Sequence, residues 1–222
     1  MSYRYFAFLD LLGYRDLIKN DLNNGTEDLR TKLLSAFNSI SDINESDVSI
    51  KAISDSIFLT LNNETLGFSY FANVLKKLQI SFIKNGLLLR GGVAYNKHFE
   101  NGKVTYSPAL VEAYQVESQT AFFPRIVIHS AVIEKLKNEG LLSSIIKDRI
   151  LVQHRNTFQI HFIDDTNWTD LKEQLSIISS NAESAINQDP KIFAKYWYLQ
   201  DYFSTYKPKG ARFSKYLETW KI

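Results

Sequence analysis

The run Tyr5-Phe6-Ala7-Phe8-Leu9 is apolar without interruption, ends at Asp10 and meets a turn residue at Gly13. Such a run reads as a buried strand leading into a helix. Leu33, Leu34, Phe37 and Ile40 recur at helical spacing and predict a helix over 29–43. Segments 48–53 and 57–61 read as two strands, and Ser54-Asp55-Ser56 between them suits a tight turn, so the pair is a hairpin. Phe68, Phe71, Leu75, Leu78 and Phe82 lay one apolar stripe along an amphipathic helix. A strand over 87–95 follows, interrupted by Gly91-Gly92, and the polar stretch 97–106 reads as a loop or ribbon. Ser107-Pro108 opens a helix to about residue 118, with proline at its first position. A short strand over 125–128, a helix capped by Ser130 and two strands within 150–163 come next. From Trp168 the spacing is helical, apart from a break at 207–210.

The order β-α-α-β-β-α-β-α-β with a helical tail predicts an α+β fold, a mixed sheet with helices on one face, rather than a repeating βαβ barrel. Residues 1–165 form the expected domain, and 166–222 a helical C-terminal extension packed on it or dimerising it. No repeat, low-complexity tract or linker divides the chain. Its 222 residues, 45% of them hydrophobic, suffice for one substantial core. With 26 basic and 24 acidic residues, the net charge of +2 exerts no global pull on nucleic acid or anionic membranes, and neither is an expected partner. The absence of cysteine excludes a disulfide framework and any thiolate-held zinc or iron–sulfur centre. No apolar run reaches the length of about 18 residues that a membrane span needs, and the N-terminus lacks the features of a signal peptide. A cytoplasmic location without a membrane span is expected.

Two carboxylates carry the candidate chemistry. Asp10 stands where the first strand leaves the sheet, a position exposed yet held by a rigid element. Asp55 stands at the tip of the 48–61 hairpin. If the hairpin lies beside the first strand, the two converge, and a pair of carboxylates without His or Cys suits hard cations such as Mg²⁺ or Mn²⁺ in phosphoryl transfer. The plainer alternative is that Asp10 caps the following helix and Asp55 fills an Asx turn. Lys51 lies four residues before Asp55, on the same strand face if the strand continues, about 13 Å away. His98, His129, His154 and His161 show no ligand or triad spacing and read as structural. Gly91-Gly92 is no phosphate loop, since no Gly-Lys-Ser/Thr follows. The aromatic residues between Tyr196 and Trp220, Tyr216 among them, read as core or interface.

These residues resemble a known family. Phe8-Leu9-Asp10-Leu11-Leu12-Gly13-Tyr14 is similar to the first metal motif of class III nucleotidyl cyclases, and Lys51-Ala52-Ile53-Ser54-Asp55 to the second, with Ser54 in place of the usual glycine. Leu89-Arg90-Gly91-Gly92-Val93 resembles the central strand before the dimerisation arm. The segment from Ala109 to Glu117 resembles the helix that normally carries an asparagine and an arginine for the transition state. Together with Phe123-Pro124-Arg125-Ile126-Val127-Ile128, these motifs are closest to small bacterial pyrimidine (uridylate or cytidylate) cyclases of antiphage systems, over roughly residues 5–165.

The resemblance implies a homodimer that turns a nucleoside triphosphate into a 3′,5′-cyclic mononucleotide and pyrophosphate. It implies two Mg²⁺ or Mn²⁺ ions per site on Asp10, Asp55 and the Leu11 carbonyl, with Lys51 reading the base in the partner's site. A separate cyclic-nucleotide effector protein is a further implied partner. The chain also departs from the family. Val111 stands at the asparagine position and Gln115 at the arginine position, so Arg90 and Arg125 are the candidate substitutes, each with a plain ion pair as its alternative (Glu117 for Arg125). The acid that pairs with the lysine in purine-specific members falls at Val104. That loss favours UTP or CTP over a purine triphosphate. A catalytically inactive nucleotide-binding or regulatory module is the alternative function.

Overall fold

The computed structural model describes residues 1–213, and Tyr216 and Trp220 lie outside the described residues. In chain order the elements are β1 (Ser2–Leu11), α1 (Tyr14–Asn24), α2 (Asp28–Asn38), β2 (Val48–Ile53), β3 (Ser56–Leu61), α3 (Gly67–Lys84), β4 (Leu89–Glu100) and β5 (Thr105–Tyr106). Then follow α4 (Pro108–Thr120), β6 (Ile126–Ile128), α5 (Ser130–Asn138), α6 (Leu142–Lys147), β7 (Leu151–His154), β8 (Thr157–Ile160), α7 (Trp168–Asn181), α8 (Glu183–Gln188) and α9 (Pro190–Thr205).

The strands form one mixed sheet in the order β2-β3-β1-β4-β6-β8-β7, with β5 pairing off the end of β4. The β4–β6 pair is parallel and the others are antiparallel. β1 is central and buried on both faces, and this is why it reads as a continuous apolar run and not as an alternation. Tyr5, Ala7, Leu9 and Leu11 pack with α2, α3 and α5 on one face. Phe6 and Phe8 pack with Ala94, Ala109 and Ala113 on the other. The sheet is thus covered by helices on one face as the pattern predicts, while α4 crosses the opposite face and Tyr198 of α9 reaches Gln159 on that same face. Gly92 permits the close approach of α4: a Cβ there would stand 2.2 Å from the Ala113 carbonyl oxygen and 2.7 Å from Val116 Cβ.

Local rules account for most boundaries. Ser107 Oγ accepts the Leu110 N–H at 3.0 Å, and Pro108 occupies the first position of α4. The helix predicted over 29–43 stops at Asn38, and the chain continues in single turns such as Ile40 N–H to Phe37 O and Ser41 N–H to Asn38 O. Ser39, Ser41, Asp42 and Asn44 offer the backbone competing partners there, while Ile40 stays buried. The stretch 97–106 is a ribbon, because β4 runs on to Glu100 and β5 returns beside it. His129, not Ser130, caps α5, its Nδ1 accepting the Ala131 N–H at 3.2 Å.

After residue 166 the chain packs back on the sheet layer. Trp168, Leu171, Leu175, Leu199 and Phe203 share an apolar cluster with Ile83, Leu88 and Phe162. Their polar groups are paired: Trp168 Nε1–H donates to Phe203 O at 3.0 Å, Tyr198 OH donates to Gln159 Oε1 at 2.8 Å, and Tyr202 OH lies 2.6 Å from His161 Nδ1. Among the described residues, no helix is long and apolar enough to cross a membrane.

Candidate functional site

The register of β1 builds the site. Asp10 stands opposite Ser56 of β3 on one side and Arg90 of β4 on the other. Asp55 lies in the two-residue turn between β2 and β3, and the Leu11 N–H donates to its carbonyl at 2.8 Å. That bond fastens the hairpin tip to the end of β1, so both acids share one rim of the sheet. Ser54 beside it has φ of 59°, a left-handed conformation in which glycine would be unstrained.

Neither plain alternative for these acids is present. Gly13 stands at the N-cap of α1 without a side-chain cap bond, and the Asp10 carboxylate instead accepts from Arg90 Nε at 2.9 Å. The Asp55 side chain makes no hydrogen bond or ion pair among the described residues. Asp55 also lies past the end of β2, so strand alternation does not place it on the Lys51 face.

Arg90 is the hub of the charge cluster. Its Nε is 2.7 Å from Glu117 Oε1 as well. The single Nε hydrogen points to Asp10, so Glu117 is held by charge while its Oε1 lacks a hydrogen bond. Glu117 is only 3% exposed. Burial raises its pKa, the Arg90 charge opposes that rise, and Asp10 adds to it. Lys195 of α9 belongs to the same cluster. Its pKa is lowered by burial first and then by Arg90, with Asp189 and Asp10 opposing. Sequence reasoning missed Glu117 as the partner of Arg90, and missed Lys195 altogether. No local pattern flags Lys195, because the packing of α9 alone delivers it.

Lys51 pairs in register with Phe58, which pairs with Phe8, so all three lie on the α4 face. Its ammonium forms an ion pair with Glu100 at the end of β4, not with the acids of the rim. Arg125 is the neighbour of Arg90 across the parallel β4–β6 ladder, and the Gly91 N–H donates to its carbonyl at 3.0 Å. Its guanidinium turns away and donates to Thr120 O at 3.0 Å and Gln159 Oε1 at 3.3 Å. The structure therefore does not bring Arg125 to the rim, and the alternative Arg125–Glu117 pair does not form. Val111 and Gln115 lie exposed on the outer side of α4, and Val104 is exposed in the turn between β4 and β5.

The donors at the rim are oxygen atoms alone. Among the described residues, no group of three or more His, Cys, Asp or Glu side chains is placed to hold a metal ion. A site here consists of the two carboxylates and backbone carbonyls. That composition fits hard divalent cations and excludes soft-ligand metals.

No protein-family model and no curated protein matches the sequence. The fold does have solved counterparts. A class III adenylyl cyclase-like ATP-binding protein from Pseudomonas aeruginosa matches with a TM-score of 0.50 at 11% identity, covering 78% of this chain and 40% of that one. The guanylyl cyclase Cya2 matches at 0.47 and 16% identity, over 73% and 93% of the two chains. The adenylyl cyclase CyaB from P. aeruginosa matches at 0.41 and 16%, over 74% and 96%. At these identities the likeness is one of fold: the chain is an α+β protein with a class III cyclase-like sheet and appended C-terminal helices.

Proposed function

We propose that the protein is a nucleotide cyclase, converting a nucleoside triphosphate to a 3′,5′-cyclic mononucleotide and pyrophosphate. The observation that carries this reading is the fastening of the Asp55 turn to the end of β1, which sets two carboxylates on one rim of a cyclase-like sheet. Asp10, Asp55 and the Leu11 carbonyl would hold Mg²⁺ or Mn²⁺, two per site. Such ions would supply Lewis-acid stabilisation of the ribose 3′-oxygen and of the charge on pyrophosphate.

The chain's own residues supply the rest. The 3′-hydroxyl gives its proton to solvent and its oxygen attacks the α-phosphorus as the bond from that phosphorus to the α,β-bridging oxygen breaks, that oxygen leaving with pyrophosphate. Arg90, positioned by Asp10 and Glu117 through its Nε, offers its terminal N–H groups to the triphosphate. Lys51 pairs with Glu100 and not with the acids of its own rim; on this reading it acts across a two-fold homodimer, donating to the base of the partner's substrate. An exposed valine at position 104 gives no acceptor for an adenine amino group, whereas UTP and CTP both present a 2-carbonyl to a lysine. With the closer motif resemblance, this supports a pyrimidine triphosphate and a role in antiphage signalling through a separate effector.

A second reading is favoured by one observation. Val111 and Gln115 leave α4 without the family's amide and guanidinium, as in a nucleotide-binding module that has lost turnover. Incubation with equal concentrations of the four NTPs and Mn²⁺, followed by mass analysis, separates these outcomes. Cyclic UMP or cyclic CMP supports the proposal, a cyclic purine product refutes the base assignment, and metal-dependent binding without product supports the inactive module.

A further inference from the structure

Beyond Arg90 on the side away from Asp10, the end of α4, the β7–β8 hairpin and α9 line an open cleft of about 670 Å³. That size suits a small organic ligand. Its lining is aromatic, with Phe122 at the edge, Phe123 stacked on Tyr198, and Trp197 stacked on Phe193. The rings of Phe123 and Tyr198 stack at 4.8 Å with their planes within 6°. Phe122, 57% exposed, stands at the cleft's edge.

The floor is charged. Arg125 is 6% exposed, forms no ion pair among the described residues, and leaves its Nε without a hydrogen-bond partner. Its partners Thr120 O, Thr157 Oγ1 and Gln159 Oε1 are all neutral, and its guanidinium carbon lies 5.6 Å and 5.7 Å from the Phe123 and Tyr198 ring centroids. Burying a cation without a counter-charge is costly. A second cation, Arg155, stands in the hairpin turn at φ of 54°, where asparagine or glycine would be unstrained. Asp201 is the one acid on the lining among the described residues. His154 between the arginines adds no charge at neutral pH, since burial and then the two guanidinium groups lower its pKa.

We propose that this cleft is a nucleotide site separate from the Asp10–Asp55 rim, the exposed Phe122 ring at its edge stacking the base and Arg125 with Arg155 taking the phosphate. The inference does not rest on the cyclase reading, because binding here needs no divalent ion.

The test is calorimetric titration of the full chain with the four ribonucleoside 5′-monophosphates in the presence of EDTA. Saturable binding of one nucleotide per chain is expected. It should be at least tenfold weaker in Phe122→Ala and in Arg155→Gly, both at exposed positions, and unchanged in Asp10→Asn. The parent nucleoside and inorganic phosphate should each bind at least tenfold more weakly than the nucleotide. Absence of saturable binding, equal affinity in the two cleft variants, a nucleoside binding as tightly as its monophosphate, or loss of binding in Asp10→Asn would each overturn the proposal.

Discussion

Replacing Arg90 by alanine leaves Glu117 as a carboxylate at 3% exposure, with its Oε1 stripped of the cation that stood 2.7 Å away. Breaking a buried pair from one side costs about 3–5 kcal/mol when no water reaches the survivor. Here the Arg90 side chain is about a quarter exposed, so solvent enters part of the vacated volume and about 2–3 kcal/mol is expected. Glu117 already has a raised pKa from burial, and removing Arg90 removes the opposing influence. A carboxylate whose folded pKa lies above its unfolded value contributes stability below the unfolded pKa, and that contribution is lost as pH rises through the folded one. Arg90→Ala should therefore be closest to wild type in mild acid and furthest from it at neutral pH. Adding Glu117→Gln should return about 2 kcal/mol at neutral pH by removing the stranded charge. Urea unfolding of the wild type, the single and the double variant at two pH values measures this. Equal midpoints for Arg90→Ala and Arg90→Ala/Glu117→Gln at neutral pH would refute the buried-charge reasoning.

Other consequences follow from the same geometry. Gly92→Ala should destabilise the fold by about 1–3 kcal/mol, since its Cβ meets backbone of α4 that must lift away, and a thermal melt reads the change. That lift also carries Glu117 off Arg90, so turnover should fall with stability. His161 is buried against Tyr202, with its pKa lowered to about 4 by burial first and then by Arg149 and Lys76. The unfolded chain then binds the extra proton between about pH 6.5 and 4, so stability should decline as pH falls through that window and the decline should vanish in His161→Phe. If Lys51 acts across a dimer, mixing inactive Asp55→Asn with inactive Lys51→Ala chains should restore part of the activity. An unrestored mixture that sediments as monomers would contradict the shared site.

Element types were legible because their causes are local. The apolar run of β1, the helical stripe of α3 and the Ser107-Pro108 start of α4 each declare themselves over a few residues. Boundaries failed where side chains compete with the backbone, as at Ser39 to Asn44 after α2. The rim acids were readable from their places at a strand end and a hairpin tip, yet their fastening by the Leu11–Asp55 bond appears only with the sheet register. Arg90 and Arg125 look equivalent as strand residues. Their separate fates depend on Glu117 of α4 and on Tyr198 and Gln159, elements far apart in the chain. Lys195 and the cleft beside Arg125 depend on the docking of α9, which no short-range pattern encodes.

If Asp10 and Asp55 support cyclisation of a nucleoside triphosphate, turnover depends on both carboxylates. The decisive measurement quantifies cyclic nucleotide and pyrophosphate together in one reaction with Mn²⁺, for the wild type, Asp10→Asn and Asp55→Asn. Equal amounts of the two products are expected from the wild type, loss of both on chelation, and neither product from the variants although they fold and melt like the wild type. Undiminished turnover in either variant, or pyrophosphate released without a cyclic product, would contradict this role of the two carboxylates.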